Sequence, residues 1–260
     1  MTKQIVVFGS NGMIGSAICS YFEQRGWNVS RITRVDIDIV SLYLSDMLYK
    51  VILRLVEGCD LVVNCINTKR LDDCMIVNAI FPAYLARAST KTIHISTDEM
   101  FEPYTTGGYK SDSLPIATSI FGISRWAGEL AGCRVIRVSV IGDLAPNHVS
   151  IPNALKSLDK DAKILASSTF YWNGLTTYIV ASIVYNTLSD SWKGVRTYTS
   201  SETISKVDLY RILANVYELD SLEVCPVDDG PVVNRILIAD KDCEIDTPFV
   251  DQIRAMKHLV

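Results

Sequence analysis

The run Gly9-Ser10-Asn11-Gly12-Met13-Ile14-Gly15 follows directly on the apolar stretch Ile5-Val6-Val7-Phe8. It opens a segment in which Ile14, Ala17, Ile18 and Phe22 recur at helical spacing and which Gly26 ends. Three glycines set three apart between a buried strand and a helix leave few folds open. The first glycine allows a tight turn, Gly12 lets the backbone approach a pyrophosphate, and Gly15 lets the helix lie close to the sheet. The helix start then offers free N–H groups and the positive end of its dipole to phosphates. The expectation is a dinucleotide site built on Gly9, Asn11, Gly12, Met13, Ile14 and Gly15.

The rest of the first half alternates in the same manner. Strand-like runs lie at Asn28 to Ile32, Asp60 to Cys65, Thr92 to Ser96 and Arg134 to Val138. Helical patterns run from about Leu71 to Arg87 and from Phe121 to Leu130, the second after a loop containing Gly107, Gly108 and Pro115. Such alternation reads as an α/β fold, a Rossmann-type doubly wound parallel sheet. The second half is less regular. Its clearest helices are Thr177 to Leu188, Ser205 to Leu219 and Phe249 to Leu259, with Ser205 placed as an N-cap and Asp208 three residues on. No linker composition divides the chain. Residues 1–260 are therefore expected to form one body, with 1–140 mainly the dinucleotide-binding core and 141–260 mainly a small C-terminal substrate lobe with returning Rossmann elements.

Charge and composition exclude several functions. A net charge of −4 with no Lys/Arg run offers nothing to a nucleic-acid backbone. The seven cysteines, Cys19, Cys59, Cys65, Cys74, Cys133, Cys225 and Cys243, are scattered and form no C-x-x-C pair. That pattern argues against a disulfide framework or zinc site and for a reducing compartment. His94, His148 and His258 stand at no mutual ligand spacing, so no metal is expected. There is no run of 18 apolar residues, and the N-terminus passes straight into a strand. A cytoplasmic protein without membrane contact is the expectation.

Several segments resemble the extended short-chain dehydrogenase/reductases. Ile95-Ser96-Thr97-Asp98-Glu99-Met100-Phe101 is similar to the S-T-D-x-V-F segment of dTDP-4-dehydrorhamnose reductases and related sugar-nucleotide proteins. Asp60 to Asn64 resembles the family's D-V-V-I-N strand, and Val77-Asn78-Ala79 its V-N-A. Phe121-Gly122-Ile123-Ser124-Arg125-Trp126-Ala127-Gly128-Glu129 matches Y-G-x-S-K-x-x-G-E in frame. Trp172 to Thr177 and Ser205 to Leu209 resemble later segments of such proteins. The resemblance implies a nicotinamide cofactor, a nucleotide-linked deoxy sugar as ligand and a Ser/Thr–Tyr–Lys catalytic set, and it leaves a homodimer open.

In that set Thr97, 24 residues before position 121, would hydrogen-bond the substrate oxygen. The tyrosine position, however, holds Phe121, which has no hydroxyl to move a proton, and the lysine position holds Arg125. Arg125 keeps a charge for the nicotinamide ribose but has no accessible neutral form. Tyr109 and Tyr104 are either substitute hydroxyls or packing aromatics. Cys74 is either a functional thiol at a helix start, with Lys69 as partner acid, or a small buried residue beside a solvated loop charge. His94 is read as a packed core residue.

Asn64 is placed beside the cofactor. Thr68, Ser96, Trp172, Asn173 and Thr176 are placed on the substrate side, with Trp172 either stacking on a ligand or packing the lobe. At the second strand's end, Arg31 or Arg34 can meet a 2′-phosphate, which favours NADP(H), while Asp36 and Asp38 keep NAD(H) open. Two functional readings follow. One is a 4-keto-6-deoxy sugar reductase or epimerase with an atypical site. The other is a non-catalytic dinucleotide-binding subunit regulating a partner enzyme, as the regulatory subunits of methionine adenosyltransferase resemble this family.

Overall fold

Strand β1 (Gln4–Phe8) is buried at four successive positions because both its faces are covered, which is why its sequence is an unbroken apolar run. It lies inside a six-stranded sheet with β2 (Asn28–Ile32), β3 (Leu61–Asn64), β4 (Thr92–Thr97), β5 (Arg134–Val138) and the later strand Gly194–Thr197. The order is Gly194–Thr197, β5, β4, β3, β1, β2, and every neighbouring pair is parallel. The computed structural model describes residues 2–102, 108–116, 119–143, 150–159 and 161–259.

Side chains alternate across the sheet. Ile5, Val7, Leu61 and Val63 face α1 (Met13–Glu23) and the helix Thr177–Asn186. Val6, Phe8 and Val62 face the opposite layer, made by α2 (Ile39–Leu44), α3 (Leu48–Leu55) and α4 (Phe81–Ala88). The sequence pattern raised no expectation for α2 or α3, because six and eight residues are too few for a periodicity to declare itself.

The helical stretch expected from Leu71 to Arg87 is interrupted. Ile76–Ile80 winds as a π-turn before α4. Pro82 has no N–H to give the Asn78 carbonyl four residues back, and the wider turn accommodates the loss. The freed carbonyl faces α5 (Ile120–Glu129), where a side chain at Gly128 would collide with it. α5 begins at an N-cap, Ser119, whose hydroxyl accepts from the Gly122 N–H at 3.0 Å. Its far end is tied to β5 by a buried ion pair, with Arg137 Nε 2.9 Å from Glu129 Oε1, and Arg137 Nη1 also donates to the Lys110 carbonyl at 3.0 Å.

The C-terminal elements form a second cluster around Trp172, Leu213, Phe249 and Ile253. It is framed by the helices Lys206–Val216 and Phe249–Lys257 and a three-stranded sheet of Phe170–Trp172, Ile204–Ser205 and Val233–Arg235. Ser205 caps its helix as expected, accepting from the Asp208 N–H at 3.1 Å. The expected helices stop short of Leu188, Leu219 and Leu259, at Asn186, Val216 and Lys257. Among the described residues no helix is long and apolar enough to cross a membrane, and no group of His, Cys, Asp or Glu could hold a metal ion.

Candidate functional site

The chain leaves β1 for β2 on one side and then returns to place β3 on the other, so a crevice opens beyond the C-terminal ends of β1 and β3. A cleft of about 460 Å³ lies there, walled by Gly9, Gly12, Arg34, Asp38, Ile66 and Thr68 among others. Gly9 turns the chain at φ +80°, and its N–H donates to the Ile32 carbonyl at 2.9 Å. At Gly15 a Cβ would run into the Gly9 carbonyl oxygen, which fixes how close α1 lies to the loop. A Cβ at Gly12 would meet only that same oxygen, at 3.2 Å.

The N-terminus of α1 has no side-chain cap and no acidic residue in its first turn. Its free N–H groups and dipole are left for an anion. These residues fit a dinucleotide pyrophosphate. Met13 and Ile14 begin the helix itself, and Asn11 lies exposed on the cleft wall.

The arginines after β2 are not equivalent. Arg31 is drawn away from the cleft by Glu23, with Nε 3.1 Å from Oε1 and Nη2 2.9 Å from Oε2. Arg34 is the one on the cleft wall. Asp38 lines the cleft too, but its carboxylate caps α2, accepting from the Ser41 N–H at 3.2 Å and the Ser41 hydroxyl at 2.9 Å. Those bonds hold its pKa below the usual carboxylate value. Asp36 is likewise spent on the Thr33 N–H and hydroxyl, each at 2.8 Å.

Several residues expected at the ligand instead support the walls. Asn64 is fully buried. Its Oδ1 accepts from the Ile66 N–H at 3.0 Å and its Nδ2 lies 3.0 Å from His94 Nδ1. His94 is buried as expected, and burial together with the Arg125 charge holds its pKa well below the ordinary value. Cys74 is buried with its thiol on the Thr68 carbonyl at 3.3 Å, the small-residue alternative rather than an exposed thiol.

The Trp172 ring stacks on Phe249 and its N–H reaches Ser139 Oγ at 2.7 Å, which is lobe packing. Asn173 clamps Leu237 through both main-chain groups, at 2.8 and 3.0 Å. Thr176 caps the helix Thr177–Asn186. Local spacing could not reveal the roles of Trp172 and Asn173, because their partners are distant in sequence, whereas the Thr176 cap reaches only to the Ile179 N–H three residues on.

The positions expected to be catalytic lie at the end of β4 and in the first turns of α5, two elements that pack against each other. Thr97 Oγ1 accepts from the Glu99 N–H at 3.3 Å and donates to Asp98 Oδ1 at 3.4 Å. Ser96 beside it is buried, and its hydroxyl has no partner among the described residues. Burial raises the Asp98 pKa, against the pull of Arg235 at 3.7 Å. Phe121 lies in the first turn of α5, and Arg125 follows one turn on.

Arg125 is only 3% exposed. Nη2 donates to the Ile95 carbonyl at 2.5 Å and Nη1 to the Ile66 carbonyl at 3.5 Å, while Nε has no partner among the described residues. Burial pushes its pKa down to about 10. Arg125 thus braces the walls from below, where a ribose-binding role had been expected.

The Tyr109 hydroxyl donates to the Glu102 carbonyl at 2.7 Å and its ring stacks on Phe101 at 4.2 Å. Tyr104, Gly107 and His148 lie outside the described residues. Lys69 was expected only as a partner for Cys74 or as a solvated loop charge, and its pairing with Glu99 carried no sequence signal. Lys69 Nζ pairs with Glu99 Oε2 at 2.8 Å and lies 5.0 Å over the centre of the Phe121 ring.

A parallel sheet with a glycine-lined, uncapped helix start at its switch point defines a Rossmann-type α/β protein. More narrowly, the chain belongs to the RmlD substrate binding domain family, whose model matches residues 2–234, and so to the extended short-chain dehydrogenase/reductases.

Among known proteins it is 23% identical to methionine adenosyltransferase 2 subunit beta of Xenopus tropicalis, over 88% of this chain and 77% of that one. It is 22% identical to the spore coat polysaccharide biosynthesis protein SpsK of Bacillus subtilis (strain 168), over 86% and 75%. The fold is that of the dTDP-4-dehydrorhamnose reductase of Bacillus anthracis, solved with NADP, at a TM-score of 0.75, 17% identity and 92% coverage of both chains. It is also that of the Bordetella bronchiseptica enzyme WbmH, solved with NAD+, at 0.75, 16% identity and coverage of 99% and 98%.

Proposed function

We propose that the protein binds a nicotinamide dinucleotide and reduces or epimerises a nucleotide-linked 4-keto-6-deoxy sugar through a site without the usual tyrosine. The observation that carries this is the start of α1, uncapped, free of acid and open to the cleft, at the same C-terminal edge of the parallel sheet as Thr97. Gly9 to Gly15 take the pyrophosphate and Arg34 takes a 2′-phosphate, which favours NADP(H). Thr97 orients the sugar's carbonyl oxygen by donating its hydroxyl proton. Asn64, Asn78 and Arg125 hold the walls in place. The bound nicotinamide supplies hydride chemistry, and the sugar sits between the cleft and the lobe of residues 141–260. Work in the cytoplasm and a homodimer accord with this reading.

A second reading has its own support. Arg125 is committed to two backbone carbonyls and Phe121 has no hydroxyl, so the protein would bind dinucleotide and regulate a partner enzyme, in keeping with the likeness to methionine adenosyltransferase 2 subunit beta. Titration with NADPH and NADH, followed by a panel of nucleotide-linked 4-keto-6-deoxy sugars, separates the two. Oxidation of the bound reduced cofactor on sugar addition is expected. Tight binding without turnover of any sugar would transfer the conclusion to the regulatory reading.

A further inference from the structure

We infer that Lys69, held by Glu99 above the Phe121 ring, is the proton donor of this site, a role resting on the enzymatic reading above. Three chain segments bring the group together: the loop after β3 supplies Lys69, the turn after β4 supplies Glu99, and the first turn of α5 supplies Phe121. Glu99 Oε2 accepts from Lys69 Nζ at 2.8 Å, and the Glu99 N–H is itself on Thr97 Oγ1 at 3.3 Å. The ammonium is thus linked, through one residue, to the hydroxyl that orients the sugar oxygen. It also lies 5.0 Å from the centre of the ring whose missing hydroxyl it would replace. A phenylalanine face attracts an ammonium, and the carboxylate fixes its direction.

Among the described residues the Ser96 hydroxyl is unpartnered but buried, and three other neighbouring groups are already committed. The Tyr109 hydroxyl is on the Glu102 carbonyl, the Cys74 thiol on the Thr68 carbonyl, and Arg125 on the Ile95 and Ile66 carbonyls. Arginine could not serve in any case, since it does not give up a proton. Lys69 has three N–H groups and gives one of them to Glu99. Its side chain is 68% exposed, so water can return the proton after each turnover.

The step balances. With a reduced nicotinamide held by Gly9 to Gly15, the carbonyl carbon would gain hydride and the nicotinamide would be oxidised. The C=O π pair moves to oxygen, which takes a proton from Lys69 Nζ to give the alcohol. The neutral amine is reprotonated from solvent, and Glu99 remains a carboxylate.

An exposed ion pair of this kind adds little to stability, so substitution of Lys69 leaves the fold intact. With full-length protein, NADPH and a nucleotide-linked 4-keto-6-deoxyhexose, Lys69→Met should lower kcat by about a hundredfold or more while cofactor affinity stays the same. Lys69→Arg should be equally slow. Added primary alkylamines should restore turnover to Lys69→Met, and so should the second change Phe121→Tyr. Independently of turnover, the sugar nucleotide should slow reductive methylation of Lys69 in the wild-type protein.

Turnover by Lys69→Met near the wild-type rate would overturn the assignment and leave the enzymatic reading standing. A slow Lys69→Met that amines do not rescue would reduce Lys69 to a positioning residue and likewise overturn it. Dinucleotide binding with no turnover by the wild type would overturn the enzymatic reading and this role together.

Discussion

Two arginines three residues apart illustrate how little of a residue's role lies in its type. Arg31 and Arg34 carry the same charge at the end of β2, yet Glu23 on α1 captures Arg31 in a two-point pair and leaves Arg34 on the cleft wall. A charge-assisted bond from Arg34 to a 2′-phosphate is worth about 1.5–3 kcal/mol, or roughly tenfold or more in affinity. Arg34→Ala should therefore cost NADP(H) binding about that factor while NAD(H) binding is unchanged, and Arg31→Ala should alter neither. Calorimetric titration of both cofactors into both variants reads this directly. Equal losses for the two cofactors would remove the 2′-phosphate contact from Arg34. Asp36 and Asp38 would then be tested for a ribose role, although both carboxylates already satisfy main-chain N–H groups nearby.

Elements place the site more firmly than single residues do. α1 begins without a cap, and its three glycines serve different ends. Gly15 is required by the closeness of α1 to the Gly9 carbonyl, whereas a side chain at Gly12 meets a single protein atom, at 3.2 Å. Gly12→Val should accordingly fold and lose dinucleotide binding, because its branches occupy the space where a pyrophosphate approaches the backbone. Circular dichroism checks the fold and calorimetry the binding. Unchanged affinity in a folded Gly12→Val protein would take the loop out of the site. α5 shows a comparable division. Gly128 lets it press on the Asn78 carbonyl, Ser119 caps it, and Glu129 anchors it to Arg137 of β5. The helix is thus fixed at both ends around positions 121 and 125.

On the scale of the whole molecule, buried polar groups couple stability to pH. His94 is fully buried and touches Asn64 of β3, with Arg125 of α5 as the nearby charge, and its pKa lies well below 6.5. An unfolded histidine titrates near 6.5. Below that pH the unfolded chain takes a proton that the folded chain refuses, so the stability is present above 6.5 and is lost as pH falls. Between pH 7.5 and pH 5.5 this site should cost the wild type about 1.4 kcal/mol. Urea unfolding of wild type and His94→Gln at the two pH values measures it, since the difference between the proteins cancels the remaining groups. Parallel pH dependence in the two would show that His94 is protonated in the folded state.

The strand–glycine loop–helix start and the alternation that builds a parallel sheet were legible in the chain, because they depend on spacing within about twenty residues. So were the in-frame replacement of tyrosine by Phe121 and of lysine by Arg125, and the Ser205 cap. The sequence alone therefore determined the fold class, the family resemblance and the place where the usual chemistry is missing. Tertiary structure decided what each polar side chain does with its hydrogen bonds. It turned Arg31 away, buried Arg125 against two carbonyls and committed Asn64, Cys74, Trp172 and Asn173 to the walls and the lobe. It also brought Lys69 and Glu99, thirty residues apart, to the Phe121 ring. The physical reason is that a hydrogen bond or ion pair extends only a few ångströms, while the partners it selects lie on separate elements that only packing brings together.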